Sequence, residues 1–152
     1  MANELWNPGS IATVLGAELN SLGNNAAAVS STAYKNTTNK LIYAWLELTV
    51  TFGSNPTAGS QIGIYLVPAL DGTNFGTYTS GASGYGPPTQ LLGSFVLEAK
   101  TTLQRLYLGA GMAGPIILPP YPLKFLSINW SGVAFPASGS TVKIGPAGRA
   151  IS

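Results

Sequence analysis

Residues 41–52 read LIYAWLELTVTF, the clearest strand pattern in the chain. Every even position is apolar, which is the period of a β-strand that packs one face on the core. The odd positions begin with Leu41, Tyr43 and Trp45 and continue with Glu47, so the opposite face carries two large aromatic side chains. We therefore expect another part of the chain, or another chain, to cover that second face.

Other segments with strand character follow at short intervals, separated by turns that use many of the 19 glycines and 11 prolines. They are rich in β-branched, aliphatic and aromatic residues, and they predict strands over residues 61–67, 91–97, 101–108, 116–118, 124–130 and 141–144. Short strands at such spacing are typical of an all-β sandwich or barrel. Seven or eight strands are enough for two packed sheets, and we assign residues 41–152 to one β-sandwich domain.

The first forty residues have a different pattern. Apolar residues recur there at helical spacing, namely Leu15, Leu19 and Leu22. This spacing, with Ser10 as a cap residue before it, predicts one short helix within residues 11–22. The small and polar residues that follow predict an extended segment, so residues 1–40 are interpreted as an N-terminal arm. Two roles stay open: the arm reaches a neighbouring subunit, or its helix closes one end of its own sandwich.

The composition excludes several classes of function. The 152 residues include no Cys and no His, which excludes disulfides, zinc–thiolate sites, a Ser-His-Asp triad and histidine–metal chemistry. The carboxylates are scattered along the chain, at Glu4, Glu18, Glu47, Asp71 and Glu98. We therefore predict no enzyme, no metal site and no cofactor. Seven Lys or Arg residues give a net charge of only +2 and form no cluster, so we expect no nucleic-acid partner.

No apolar run approaches the roughly 18 residues of a membrane span, so we expect no membrane partner. The N-terminus lacks the basic start and apolar stretch of a signal peptide, and we expect synthesis and use without Sec-type export.

The low charge points to protein partners. Charged residues make up 8 % of the chain, against roughly 25 % in an average soluble domain. Several aromatic residues fall in loops or on the outer side of a strand by alternation, among them Tyr65. Trp and Tyr are enriched in protein interfaces, so we predict a homo-oligomer. With two leucines of the arm, the predicted interface residues are Trp6, Leu15, Leu19, Tyr43, Trp45, Tyr107 and Tyr121.

Two loops carry patterns that also occur in ligand sites. Residues 71–74 read DGTN, but calcium sites draw on several carboxylates, and an Asp-Gly turn explains this run better. The glycines of residues 76–88 lead into Pro87-Pro88, where the helix that a phosphate loop requires does not readily start. We interpret this segment as a flexible surface loop. An alternative role is that Tyr78 and Tyr85 stack against a sugar ring.

Short runs of turns and strand starts recur along nearly the whole chain: 5–9 (LWNPG), 19–22 (LNSL), 65–68 (YLVP), 71–74 (DGTN), 92–95 (LGSF), 102–106 (TLQRL), 119–120 (PP) and 132–143 (GVAFPASGSTVK). Together they resemble a group of small structural proteins of tailed bacteriophages. The runs contain no catalytic signature, so the resemblance concerns the fold and membership of the virion. Residues 76–88 do not align with it.

The resemblance implies a jelly-roll-like β-sandwich that serves as a virion structural protein. The specific role it implies is a capsid decoration, or cement, protein that binds the shell as a homotrimer over joints between subunits of the major capsid protein. Such a protein is made in the host cytoplasm and ends on the capsid exterior. Two alternatives stay open: a tail or neck adaptor, and a module that binds glycans or a host surface.

Overall fold

The computed structural model describes residues 4–36, 41–85, 90–109 and 114–151, without the side chains of 4–8 and 149–151. This part of the chain contains ten strands and a single 3₁₀ turn, Ala17–Leu19. The strands are β1 (Glu4–Pro8), β2 (Ala12–Leu15), β3 (Ala27–Val29), β4 (Tyr43–Val50), β5 (Gln61–Pro68), β6 (Leu91–Val96), β7 (Gln104–Leu108), β8 (Ile116–Ile117), β9 (Leu123–Trp130) and β10 (Thr141–Ile151).

The strands form two antiparallel sheets. Sheet A has the order β1-β10-β4-β7, with β2 also paired to β10 and β8 also paired to β4. Sheet B has the order β3-β9-β5-β6. Four pairings are nested along the chain: β2 with β10, β3 with β9, β4 with β7, and β5 with β6. This nesting is the topology of a jelly roll, so the prediction of an all-β, jelly-roll-like sandwich is confirmed.

The core lies between the inner faces of the two sheets. On sheet A, Leu46 lies directly opposite Ile144 of β10 and Leu108 of β7, so the three side chains form one apolar row. Sheet B contributes Ile62 and Ile64, which are fully buried as the alternation predicted. The even positions of β4 and Phe52 after it are buried, which confirms the inferred core face from Ala44 onward. Ile42 departs from the prediction, because it lies before β4 and is 48 % exposed, whereas Leu41 is buried.

The first forty residues depart most from the sequence-based expectation. Strands β1, β2 and β3 pair with strands of both sheets, so residues 4–29 are built into the sandwich and do not form an extended arm. The helix predicted within residues 11–22 is wrong. Residues 12–15 form β2, and only the three residues of the 3₁₀ turn are helical. Residues 37–40 of the predicted arm lie outside the described residues.

A strand followed by a tight turn reproduces helical spacing without a helix. Leu15 is buried because it lies opposite Val142 of β10, whereas Leu19 is buried from within the 3₁₀ turn. Thr13 and Val14 are β-branched and favour extended backbone. An isolated helix of this length is marginal in water, and pairing with β10 supplies the backbone hydrogen bonds instead.

A buried amide ties the N-terminal segment to the end of β9. The two N–H donors on Nδ2 of Asn129 are shared among three carbonyl oxygens, those of Leu22 at 3.0 Å, Gly23 at 3.1 Å and Val133 at 2.7 Å. Its Oδ1 atom accepts a hydrogen bond from the Ser131 N–H at 3.0 Å. Because buried polar groups without partners are costly, these bonds hold the connection from the 3₁₀ turn to β3 against sheet B.

We expect the Asn129→Leu variant to lose about 3 kcal/mol of unfolding free energy, because three carbonyl oxygens lose the same donor. Asn129→Asp should destabilise as well, since a carboxylate would replace the amide donor beside those oxygens. Urea denaturation measures both effects. The control is Asn24→Ala, which removes one exposed hydrogen bond to the Gly132 N–H and should cost less than about 1 kcal/mol. Equal losses in Asn24→Ala and Asn129→Leu would contradict the role assigned to Asn129.

A carboxylate makes a second tie in the same region. The two oxygens of Glu18 accept hydrogen bonds from the backbone N–H groups of Gly16 at 2.9 Å and Ser31 at 2.8 Å. Partial burial opposes ionisation of Glu18, but hydrogen bonds from the Ser31 side chain and from these N–H groups outweigh it. They lower the pKa of Glu18 from 4.5 to about 2. The ionised form of Glu18 therefore stabilises the fold.

The lowered pKa of Glu18 predicts a defined pH dependence. Its contribution to stability should be complete above about pH 4.5 and should be lost as the pH falls towards 2. At pH 7 we expect Glu18→Gln to lose about 1 kcal/mol, a value reduced for solvent screening, with the difference from wild type vanishing near pH 2. Urea denaturation at a series of pH values tests this. Glu98→Gln, which removes a surface ion pair with Lys100, is the control. A Glu18→Gln deficit that stays constant from pH 7 to 2 would contradict the prediction.

Candidate functional site

Sheet A turns one face away from the core. Because the even positions of β4 are buried, Tyr43, Trp45 and Glu47 lie on the outer face. Glu47 lies opposite Tyr107 of β7 on one side and Lys143 of β10 on the other. Tyr43 and Trp45 therefore lie on the same face as a cross-strand row that contains Tyr107, Glu47 and Lys143.

A shallow depression of about 210 Å³ lies beside Trp45. Trp45 is opposite Gly145, which has no side chain to fill the space next to the indole ring. Ile11, from the connection between β1 and β2, and Tyr107 complete a mainly apolar lining. Ile11 is 73 % exposed and Tyr107 is 56 % exposed, so this lining is open to solvent in the single chain.

Glu47 is held by its neighbours rather than poised for acid–base chemistry. Its carboxylate lies 3.8 Å from Nε of Arg105 and accepts a hydrogen bond from the Tyr107 hydroxyl, which raises the pKa of Tyr107. An exposed ion pair of this kind contributes less than about 1 kcal/mol. No second carboxylate lines the depression, and among the described residues no three His, Cys, Asp or Glu side chains group into a metal site.

Ile117 extends the same apolar surface. It lies opposite Tyr43 across the pair of β8 and β4, and it is exposed. We call the set of apolar side chains on the outer side of sheet A the aromatic face; its members are Ile11, Tyr43, Trp45, Tyr107 and Ile117. Exposed apolar side chains grouped on one side of a sheet make this surface a candidate for contact with another protein.

The structure brings three of the predicted interface residues together. Tyr43, Trp45 and Tyr107 lie on the aromatic face. Tyr121 is exposed in the connection between β8 and β9. Trp6 lies in β1, but its side chain is outside the described part of the structure. Their contact with a partner stays a prediction.

Two predicted interface residues are corrected by the structure. Leu15 and Leu19 are fully buried in the core of their own chain, so no partner can reach them. Sequence reasoning missed Ile11 and Ile117 as members of the aromatic face. For Ile117 the signal is its register opposite Tyr43, which a single sequence does not reveal.

The chain itself covers part of the outer face of sheet B, while Leu91 and Val96 of β6 stay exposed there. Tyr65, Val67 and Leu126 form a second apolar cluster there, against which Phe75 and Tyr78 pack. The covering segment is the connection between β5 and β6. Its residues 79–83 and 85 lie at the surface, as the prediction of a surface loop for residues 76–88 requires, while Tyr78 packs on the sheet. Two backbone hydrogen bonds between Ala27 and Gly81, at 2.9 and 2.8 Å, fasten this connection to β3. Residues 86–89 lie outside the described part.

The side chain of Asp71 stabilises the turn at the start of this connection. Asp71 accepts hydrogen bonds from the backbone N–H groups of Asn74 at 2.7 Å and Thr73 at 2.9 Å. These bonds lower the pKa of Asp71 to about 2. The carboxylate therefore stabilises a tight turn, in agreement with the interpretation of residues 71–74 as an Asp-Gly turn.

Gly84 is the point of closest approach between this connection and β3. A Cβ atom at Gly84 would lie 2.1 Å from the Cβ of Ala27. We expect Gly84→Ala to lift the segment and to lower its local opening free energy by about 1–3 kcal/mol. Amide hydrogen exchange of residues 75–85 measures this. Gly76→Ala, whose new Cβ would have 3.8 Å to its nearest neighbours, is the matched control. Exchange in Gly84→Ala as slow as in wild type would contradict the packing described.

Comparisons with known proteins give a weak structural similarity and no family. No protein-family model and no curated protein matches the chain. A chain in a solved structure of turnip yellow mosaic virus is similar over 100 % of this chain and 84 % of its own length, with 13 % identity and a TM-score of 0.36. A similarity at that score carries no argument about fold or function. The described residues also contain no helix with the length and apolarity needed to span a membrane.

Proposed function

We propose that this protein is a structural component of a virus particle and that it assembles through the aromatic face. The main observation that supports this proposal is the aromatic face, a group of aromatic and aliphatic side chains on the outer side of sheet A. Jelly rolls occur in both viral capsid domains and lectins, and a fold by itself does not imply a function. The proposal therefore rests on the surface and not on the topology alone.

The exposed apolar side chains on the outer side of sheet A include Ile11, Tyr107 and Ile117, which are each more than half exposed. On sheet B, the connection between β5 and β6 covers part of the outer face and leaves Leu91 and Val96 exposed to a similar extent. Burying one such side chain gains about 2 kcal/mol. Since apolar patches of this kind mark sites of association, a protein partner that covers sheet A explains them.

In its finer form, the proposal is a non-enzymatic capsid decoration protein of a tailed bacteriophage. It would sit on the capsid exterior as a homotrimer and bind the major capsid protein. The support for this form is the resemblance of the short runs along the chain to small structural proteins of such phages. A tail or neck adaptor would use the same surface. The number of copies per particle separates the two roles, because a decorated shell carries many more copies than a single ring.

Charge placed on the aromatic face should prevent assembly. We expect wild-type protein to form oligomers of about three chains in solution, and Ile11→Lys to weaken association at least tenfold, because a buried lysine must be desolvated. A Trp45→Lys/Tyr107→Lys double variant should be monomeric. Multi-angle light scattering over a concentration series measures the mass, and far-UV circular dichroism checks the fold.

The matched control is Leu70→Lys, an exposed apolar residue in the turn after β5, on the other side of the sandwich. It should keep the wild-type mass. A wild-type protein that stays monomeric at high concentration and does not bind purified particles would overturn the proposal. Folded Ile11→Lys protein with the wild-type mass and wild-type occupancy on particles would overturn it too.

A further inference from the structure

A groove of about 530 Å³ runs along the outer side of sheet B, between residues 82–85 and Trp130. This volume falls within the range of small-molecule sites. The groove lies on the sheet opposite the aromatic face, so the two surfaces are independent. It is a part of sheet B that the connection between β5 and β6 leaves open.

Two aromatic side chains, Trp130 and Tyr85, line this groove, and the backbone that carries each of them is hydrogen-bonded. Trp130, at the end of β9, is 37 % exposed, and its ring lies over Gly63 of the neighbouring strand. A Cβ atom at Gly63 would come within 2.5 Å of the indole, so only glycine allows the ring to rest on the sheet there. Tyr85 is 71 % exposed, and two backbone hydrogen bonds with Thr79, at 2.9 and 3.1 Å, hold its position.

Neutral polar side chains complete the lining. Asn25 and Ser83 contribute an amide and a hydroxyl, and Ile128 contributes apolar surface. Asn25 has a left-handed backbone with φ of 62°, and its N–H donates to the carbonyl oxygen of Asn129 at 2.6 Å. The residues that line the groove in the described part of the chain include no Lys, Arg, Asp or Glu.

This combination selects the chemistry of a ligand. Aromatic faces attract flat apolar surfaces, and amide and hydroxyl groups pair with hydroxyls. A phosphorylated or carboxylated ligand would need a cation in the lining, because a desolvated anion without one is costly. A pyranose ring presents an apolar C–H face and a rim of neutral hydroxyls, which matches both features.

We propose that this groove binds a neutral oligosaccharide, with one pyranose ring stacked between Trp130 and Tyr85 and its hydroxyls bonded to Asn25 and Ser83. The site does not depend on the assembly role, since it uses the other sheet. Through this site the protein would bind a surface that carries sugars, in addition to the protein contacts proposed for sheet A.

A glycan array followed by calorimetry tests the site. We expect binding to neutral glycans on the array and, in solution, binding to at least one of cellotriose, maltotriose and triacetylchitotriose. Tyr85→Ala should weaken that binding at least fivefold, Trp130→Ala should abolish it, and Trp130→Phe should retain part of it. Tyr85 is exposed, so the Tyr85→Ala variant should fold even where Trp130→Ala does not.

The matched control is Tyr121→Ala, an exposed tyrosine outside the groove, which should bind as wild type does. Four results would overturn the proposal. One is the absence of neutral-glycan binding on the array and in solution; another is binding only to sialylated glycans. The third is unchanged binding in Tyr85→Ala. A fall in oligomer mass in Tyr85→Ala would identify the groove as a protein interface and would also overturn it.

Discussion

The alternation along β4 is the constraint on which the rest of the structure depends. This strand lies between β10 and β7, so each of its side chains faces either the core or the outside of sheet A. A shift of one residue would bury Glu47 and expose Leu46 and Leu48, and the cost of both changes fixes the register. The same register sets Tyr43 and Trp45 on the outside. The aromatic face is thus a direct consequence of packing the leucines.

The sequence predicts that a strand exists wherever apolar and polar residues alternate strongly. It does not predict where the strand ends when a glycine or proline interrupts that alternation. Strand β10 was predicted over 141–144 but continues to Ile151, beyond a Gly145-Pro146 pair that looks like a turn. The backbone explains why. The carbonyl of Pro146 accepts a hydrogen bond from the Gly9 N–H, in the gap between β2 and β1. The missing N–H of proline points to the same gap, so no ladder bond is lost.

The two candidate surfaces also differ in how much of them the sequence could predict. Tyr43 and Trp45 could be placed together on one outer face because two residues of one strand at an even spacing must share it. Ile117 joined them only through pairing of β8 with β4. The groove on sheet B was even less accessible to sequence reasoning, because Asn25, Tyr85 and Trp130 come from three separate segments. Its sole sequence signal was the suggestion that Tyr85 stacks on a sugar.

The low charge of the chain has two physical explanations, one for each sheet. On sheet B, the connection between β5 and β6 packs Phe75 and Tyr78 over apolar residues, so the chain covers part of that face itself and leaves Leu91 and Val96 exposed. On sheet A, the cover proposed is a partner. The two outer faces point in opposite directions, so attachment to a particle through sheet A, as proposed, would turn the groove of sheet B away from the particle. In that arrangement the proposed sugar site would stay accessible, because the two surfaces share no residues.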